Sequence, residues 1–339
     1  MTNAATEDII TNKTAPIRSL DDIQKPIASE LETFKVHFRK YLDTDVFLLN
    51  QIIRYLMRMK GKQMRPILVL LSAKICGGIN DRSYVAATMI ELLHTATLIH
   101  DDVVDEADQR RGFLSINKVW KNKASVLFGD FLLAKGLLVA VDSDEFELLK
   151  VLSTAVKRMS EGELRQLKAS KLQNMTEDKY YQIITEKTAS LLVACCECGA
   201  ISASADESVR ERIRGIGHHI GIAFQIRDDL LDYSQRKTGK TSGNDILERK
   251  ITLPFIAALA NASLIEQRKM RWMYRKKGKN SQQVGYIRNF VFEKGGIEYA
   301  TRKMEEHAGK ALILLNEFPE SEIRDVFSEF IRFVIYRKK

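Results

Sequence analysis

From about residue 28 onward, apolar side chains recur three or four positions apart, as in Leu48, Ile52 and Leu56 and then Ile67, Leu70 and Leu71. This is the spacing of amphipathic or buried helices, and no strand-like alternation competes with it. Turn-forming clusters interrupt the pattern at 60–66, 76–81, 110–115, 142–144, 170–176, 203–208, 234–243 and 276–280, which predicts about ten helices. None of these breaks reads as a long interdomain linker. The expectation is an all-α chain with one domain over residues 27–339, preceded by a polar N-terminal arm over residues 1–26.

Composition sharpens this picture. With 45% hydrophobic and 29% charged residues the chain has material for a large core, and 5 Pro and 18 Gly argue against a loop-rich or all-β fold. Three of the four cysteines, Cys195, Cys196 and Cys198, sit in one apolar stretch with no second pair or nearby His, so they read as small buried helix residues, not zinc ligands. The net charge of +9 points to an anionic partner: nucleic acid, a membrane surface or a phosphorylated small molecule. The N-terminus is polar, and no uninterrupted apolar run approaches the roughly 18 to 20 residues of a spanning helix, so the expected location is cytoplasmic.

The most informative segment is His94 to Asp105, where Asp101, Asp102 and Asp105 form a DDxxD pattern at the end of an apolar helix. Asp101 and Asp105 lie one turn apart on one face, with His94 and Thr97 on the same stripe. Clustered carboxylates on an apolar helix repel one another and are costly unless a cation neutralises them. Asp228, Asp229 and Asp232 repeat the pattern at the end of a second apolar helix, 216–231, with Gln225 one turn before. Two such motifs suggest facing helices that hold hard cations, and carboxylate oxygens with water favour Mg²⁺ over zinc.

Cations suited to phosphate accompany them. Lys62 and Arg65 lie in a turn entering a helix, Arg110 and Arg111 follow the first motif, Lys187 and Thr188 occur in EKTA, and Lys240 and Lys250 flank GND. Arg offers bidentate hydrogen bonds to phosphate oxygens, and Lys a mobile point charge.

These landmarks, GKxxRP, His before DDxxD, RRG, EGE at 161–163, KTA, FQxxDD at 224–229 and GKxxGxD at 239–245, come in an order that resembles the trans-polyprenyl diphosphate synthases. That family includes farnesyl, geranylgeranyl and octaprenyl diphosphate synthases, and the long-chain, octaprenyl-type members are the nearest in pattern. The resemblance spans roughly residues 30–335. It implies an isoprenoid synthase-type helical bundle around a central active-site cavity. It also implies a prenyltransferase that joins isopentenyl diphosphate to an allylic diphosphate by Mg-assisted ionisation and 1′-4 elongation.

By the same resemblance, Asp101, Asp105 and Asp228 bind about three Mg²⁺ ions per active site, with Asp102, Asp229 and Asp232 as supporting ligands through water. Lys62, Arg65, His94 and Arg111 would hold isopentenyl diphosphate. Arg110, Lys187, Gln225, Lys240 and Lys250 would hold the allylic diphosphate, and Thr188 would face the reacting carbons. The implied catalytic set is Asp101, Asp105, Asp228, Lys187, Thr188 and Gln225. Lys60, Gln63 and Arg249 depart from the family pattern, Arg249 standing where a Gly often precedes the lysine. A homodimer is implied, with a helix near the first acidic motif in its interface.

Small residues one turn below the first motif, Ala96 and Thr97, predict an open channel and an all-trans product of about C30 to C50, since each cleared turn of about 5.4 Å admits roughly one isoprene unit. The alternatives are a shorter-chain farnesyl or geranylgeranyl synthase, or the catalytic subunit of a heteromeric synthase. A non-catalytic partner subunit would be expected to lose acidic motifs, and a terpene cyclase to carry an Asn/Ser/Glu-type second motif. The basic run at 268–279 suggests a nucleic-acid binder least of all; it is a solvated face, or a peripheral contact with anionic lipid at the membrane surface.

Overall fold

The computed structural model describes residues 19–59, 61–110, 112–172, 175–233 and 244–336; the side chains at 170–172 and 244 are outside that description. Among the described residues the chain is helical apart from one short antiparallel ribbon. Helix α1 (Leu20–Gln24) is capped by the Ser19 hydroxyl, which accepts from Asp22 N–H, and a 3₁₀ turn (Lys25–Ile27) follows. Ile23 and Ile27, one turn apart, are both buried. Within the described part of the expected arm, Ile23 therefore packs into the body beside Ile27, the first turn's apolar neighbour.

Helices α2 (Ala28–Tyr41) and α3 (Phe47–Arg58) lead to α4 (Met64–Cys76), which tolerates Pro66 because the residue falls in its first turn. Helix α5 (Asp81–Val104) starts in a capping box, with Asn80 and Ser83 exchanging side chain and backbone hydrogen bonds. It is apolar on nearly all sides and runs through the core. Where a loop was expected after it, a tight ribbon forms from β1 (Gln109–Arg110) and β2 (Phe113–Leu114).

Helix α6 (Ile116–Asp142), with a non-helical Lys121 (φ 71°) near its start, packs closely along α5. His100 lies directly over Gly129, and a Cβ at Gly136 would sit 3.1 Å from Leu93 Cγ. The opposite face exposes Leu127, Leu137, Leu138 and Val141. By length and composition α6 is apolar enough to cross a membrane, although 39% of its most apolar stretch is buried. Asp130 and Lys135 break the uninterrupted run that a scan of the sequence seeks.

Helix α7 (Phe146–Leu172) and α8 (Glu177–Ile184) lead through a π-helical turn (Thr185–Ala189) into α9 (Ser190–Ser202). Cys195, Cys196 and Cys198 are buried in α9 without disulfides, and burial pushes the Cys195 thiol up to about 12, so it is inert packing. Helix α10 (Glu207–Tyr233) carries the second acidic motif and packs on α9 and on a late helix, α15 (Gly296–Asn316). The remainder is α11 (Asn244–Glu248), α12 (Leu253–Ala260), α13 (Leu264–Arg275), α14 (Ser281–Glu293) and the C-terminal α16 (Glu322–Tyr336), which packs back on α1 and α4.

Candidate active site

The first acidic motif ends α5. Asp101 and Asp105 are exposed, while Asp102 is 5% exposed and receives the Arg110 guanidinium. Arg110 Nε donates to both Asp102 oxygens, at 2.9 and 3.2 Å, and Nη2 adds a further short contact. Arg110 reaches back because it stands on β1, so its direction is set by the ribbon and not by a helix end. Crowding by the cleft walls, then the nearby Glu163 and Asp105, raise the Asp101 carboxyl above the ordinary carboxylate value; Lys187 and Arg110 work the other way. Negative charge gathered at a helix C-terminus also opposes the helix dipole, which makes this end a seat for a cation.

The second motif ends α10. Asp228 is exposed and Asp229 is 4% exposed. The Tyr180 hydroxyl donates to Asp229 at 2.6 Å and the Gln225 amide donates at 2.9 Å, while Gln225 Oε1 accepts from Thr188 at 2.7 Å. Burial pushes the Asp229 carboxyl up to about 8 against those two hydrogen bonds, with Asp245 and Asp228 adding to the rise. Asp232 accepts from the Asp245 backbone N–H at 3.1 Å and so caps α11. Burial, then Asp232, push Asp245 itself up to about 6.

Lys187 and Thr188 are carried by the π turn, a conformation found mostly at functional sites. Glycines on both flanking helices let it fit: a Cβ at Gly162 would lie 2.8 Å from Lys187 N, and one at Gly221 2.5 Å from Ala189 Cα. Lys187 pairs with Glu163 and donates to Gln166 at 3.3 Å, which aims it at the first motif. Lys250 pairs with Glu248 at 2.6 Å. Burial works against its charge, but Glu248, Asp245 and Asp105 outweigh burial and raise its pKa. Lys250 thus feels carboxylates of both sides, and the two motifs border one cleft with Lys187 and Lys250 between them.

A cavity of about 390 Å³ joins the GKxxRP turn to this cleft, lined by Lys62, Arg65, Thr188, Phe330 and Val334 among others. Lys62 also lies over the Phe333 ring, 5.8 Å from its centre. Helix α16 therefore closes one wall, a contribution that no sequence motif announced. A second cavity, of about 400 Å³, opens beside Asp102 and Arg110 and is lined by Phe34, Phe38, Leu98 and Ile99. Ala96 is buried, and Thr97 is half-buried with its hydroxyl on His94 O at 2.8 Å. His94 is buried on α5. Arg111 and Lys240 lie outside the described residues.

Tyr180, Glu163 and Gln166 escaped the sequence reading as functional side chains. EGE was visible only as a landmark, and a tyrosine that supports an aspartate 49 residues away leaves no local signal.

Among the described residues no three His, Cys, Asp or Glu side chains converge into a ready-made metal cage. Asp101, Asp105 and Asp228 are solvent-facing carboxylates, which suits a hard cation that keeps water and shares oxygens with a phosphorylated ligand. Glu163 and Asp105 add negative charge beside Asp101, which a cation would offset. Asp102, Asp229 and Asp232 have protein partners and hold the neighbouring structure in place.

Comparison with known proteins places the chain. The family model for polyprenyl synthetase matches residues 46–291. The chain is 37% identical to the all-trans-nonaprenyl-diphosphate synthase (geranyl-diphosphate specific) of Rhodobacter capsulatus, covering 93% of this chain and 97% of that protein. It is 32% identical to the octaprenyl diphosphate synthase of Escherichia coli, covering 95% and 100%. Its fold is similar to the polyprenyl synthase from Caulobacter crescentus complexed with calcium and isoprenyl diphosphate, with a TM-score of 0.87 and 30% identity over 96% of this chain and 100% of that one.

Proposed function

This chain belongs to the polyprenyl synthetase family, and we propose that it condenses isopentenyl diphosphate with an allylic diphosphate into an all-trans polyprenyl diphosphate of about C30 to C50. The observation that carries this reading is the charge gathered between the two motif-bearing helix ends: Lys187 is held by Glu163 and acts on Asp101, and Lys250 acts with Asp105 of the first motif and with Asp245, which accompanies the second. A divalent cation, Mg²⁺ in our reading and about three per site, supplies charge neutralisation for the departing diphosphate.

The chain's own residues do the rest. Lys187, fixed by Glu163 and Gln166, and Lys250 place positive charge where the allylic diphosphate gains negative charge. Thr188 donates to Gln225, whose amide is in turn tied to Asp229; in this reading Thr188 faces the allylic carbons as they become positive and Gln225 lies beside the allylic diphosphate. Lys62 and Arg65 hold the second diphosphate at the mouth of their cavity, in the wall closed by Phe330 and Val334. The alkene of isopentenyl diphosphate then attacks the allylic carbon, and the released diphosphate takes the proton, so no dedicated protein base is needed. Arg110, Arg111, His94 and Lys240 complete the diphosphate sites in this reading.

Ala96 and Thr97 leave the channel below the first motif open, and relatives named for octaprenyl and nonaprenyl products support a long chain. A homodimer through α6 is part of the same proposal: its exposed Leu127, Leu137, Leu138 and Val141 form an apolar face that a second copy would cover. We also place the protein in the cytoplasm, with a peripheral contact at the membrane surface. Product analysis tests the reaction. Labelled isopentenyl diphosphate and several allylic primers should give a product ladder ending between about C30 and C50, abolished by a chelator and shortened to about C15 to C20 by Ala96→Phe. No condensation would overturn the function; a wild type stopping at C15 would overturn the channel assignment.

A further inference from the structure

Helix α13 turns an unusual face to solvent. Met270 and Tyr274 anchor it in the core at 1% and 0% exposure, and on the opposite side Ile265 is 82% exposed and Trp272 67% exposed. At 100° per residue, these two stand within about 20° of each other and some 10 Å apart along the axis. Arg268 and Arg275 flank that stripe on one side and Lys269 on the other, all exposed, and Leu264 is 73% exposed at the helix start. Lys276 and Lys277 follow at the helix end, also exposed. Over residues 264–277 there are six cations and a single acid, Glu266, which is held in the N-terminal capping box and by Lys294 at 2.9 Å. Lys269 donates to the Tyr286 hydroxyl at 2.8 Å and lies over its ring, which extends the patch onto α14.

We propose that the outward face of α13 docks on an anionic lipid bilayer, with Ile265, Leu264 and Trp272 in the headgroup boundary and the flanking cations on lipid phosphates. This deepens the membrane contact proposed above and rests on it. A bilayer rewards both halves of the pattern: a central apolar stripe with an indole, which favours the interface, and cations on either side, which are drawn to a negative surface. Nucleic acid would reward the cations but not an exposed isoleucine and leucine. The helix is also bound to the active site. Tyr274 donates to the Lys250 carbonyl at 2.5 Å, and Lys279 donates to the Ile246 carbonyl at 2.9 Å, so the lipid-facing element adjoins the segment that carries Lys250. Such a placement brings a site that makes a greasy product to the surface that accepts it.

The chain has two tryptophans, Trp272 and Trp120, and Trp120 is half-buried edge-on to Tyr55 at 5.1 Å. In a Trp120→Phe background, vesicles of phosphatidylcholine with about one third phosphatidylglycerol should blue-shift the Trp272 emission, with pure phosphatidylcholine much less effective and salt weakening the effect. The Ile265→Ser/Trp272→Ser and Arg268→Glu/Arg275→Glu double variants of the full-length protein should each lose at least about tenfold in vesicle partitioning by sedimentation, while retaining wild-type turnover on soluble substrates and the same size in solution. Wild-type protein that ignores the vesicles would overturn the membrane contact itself. Variants that partition like wild type would overturn only the assignment to α13. A shift in oligomer size, or binding to duplex nucleic acid in place of vesicles, would give this face to another partner and overturn the proposal.

Discussion

At the end of α5 the buried middle carboxylate, Asp102, is held by the Arg110 guanidinium; at the end of α10 its counterpart, Asp229, is held by the phenol of Tyr180 and the amide of Gln225. The five-residue patterns are the same, and so is the division of labour along them: the first aspartate faces the cleft and the second is buried. The supports differ. Asp102 is paired with a guanidinium, whereas Asp229 has neutral donors that leave it much of its burial cost, and its carboxyl is pushed up to about 8. A repeated motif therefore does not mean a repeated role, and the neighbours of each carboxylate decide what it contributes.

The sharpest way to break this comparison is to remove the cleft-facing members. Asp101→Ala and Asp228→Ala should each reduce turnover by about a thousandfold or more while leaving the thermal midpoint close to wild type, since both side chains are exposed and neither fills the core. Near-normal turnover in either variant would move the cation site elsewhere.

Substituting the middle members should show the opposite balance. Asp102→Asn leaves the Arg110 guanidinium beside a neutral amide in a largely buried position and should lower stability by about 2 kcal/mol, less than for a fully buried pair because Arg110 retains 33% side-chain exposure. Asp229→Asn keeps one carbonyl acceptor for its two neutral donors and should cost about 1 kcal/mol. Urea unfolding of both variants measures the difference; a larger loss at Asp229 would show that the kind of partner does not set the cost.

The helices that carry the two motifs also rest on different seams. Helix α5 lies on α6 through Leu93 at Gly136 and His100 at Gly129, whereas α10 meets α15 through His219 and His307, whose Nδ1 atoms are 3.1 Å apart, with His218 alongside. Burial, then the neighbouring histidine and Lys310, hold His219 at about 4, and burial, then Lys310 and His218, hold His307 at about 4. Tyr181, Lys303 and Glu306 also face the cluster, and Glu306 opposes the depression. A histidine whose folded pKa is depressed binds fewer protons folded than unfolded between about 4 and 6.5. The stability it contributes is thus fully present above about 6.5 and is lost as pH falls toward 4. The urea midpoint should drop across that window, and His219→Gln/His307→Gln should flatten the drop; identical pH profiles would remove the histidines from the account.

How much of this was legible in advance follows from how local each signal is. Periodicity and the DDxxD spacing act within one helix, so the helical class and the two motif-bearing helix ends could be read directly. Turns without strong breakers could not be. The chain bends after Leu42 and after Ala260, where no Pro or Gly marks the place. The ribbon at 109–114 is too short for alternation to register, yet it is what directs Arg110 to Asp102. Tyr180, Gln166 and the α16 wall reach the site only through tertiary contacts, beyond the range of a spacing argument.

The smallest effect concerns the loop that serves the second motif. Arg249 has φ 64°, in the left-handed region, and the bonds around it complete a helix-ending pattern: Lys250 N–H donates to Asp245 O at 2.8 Å and Arg249 N–H to Ile246 O at 3.3 Å. Glycine is the residue that enters this conformation without steric cost, and the family pattern often has one there, so arginine holds the turn at an expense of roughly 1 kcal/mol. Gln63, φ 48°, adopts the same left-handed conformation ahead of α4. Arg249→Gly removes the clash in the folded chain but also loosens the unfolded one, and the second effect takes back part of the gain. The net expectation is a rise of about 0.5 kcal/mol in unfolding free energy with the Asp245 to Lys250 turn retained. If Lys250 holds the allylic diphosphate through this turn, the KM for the allylic primer should stay within about twofold of wild type, because the carbonyl that Tyr274 grips is unchanged. A variant that loses stability would mean that the Arg249 side chain, and not its backbone, fixes the turn.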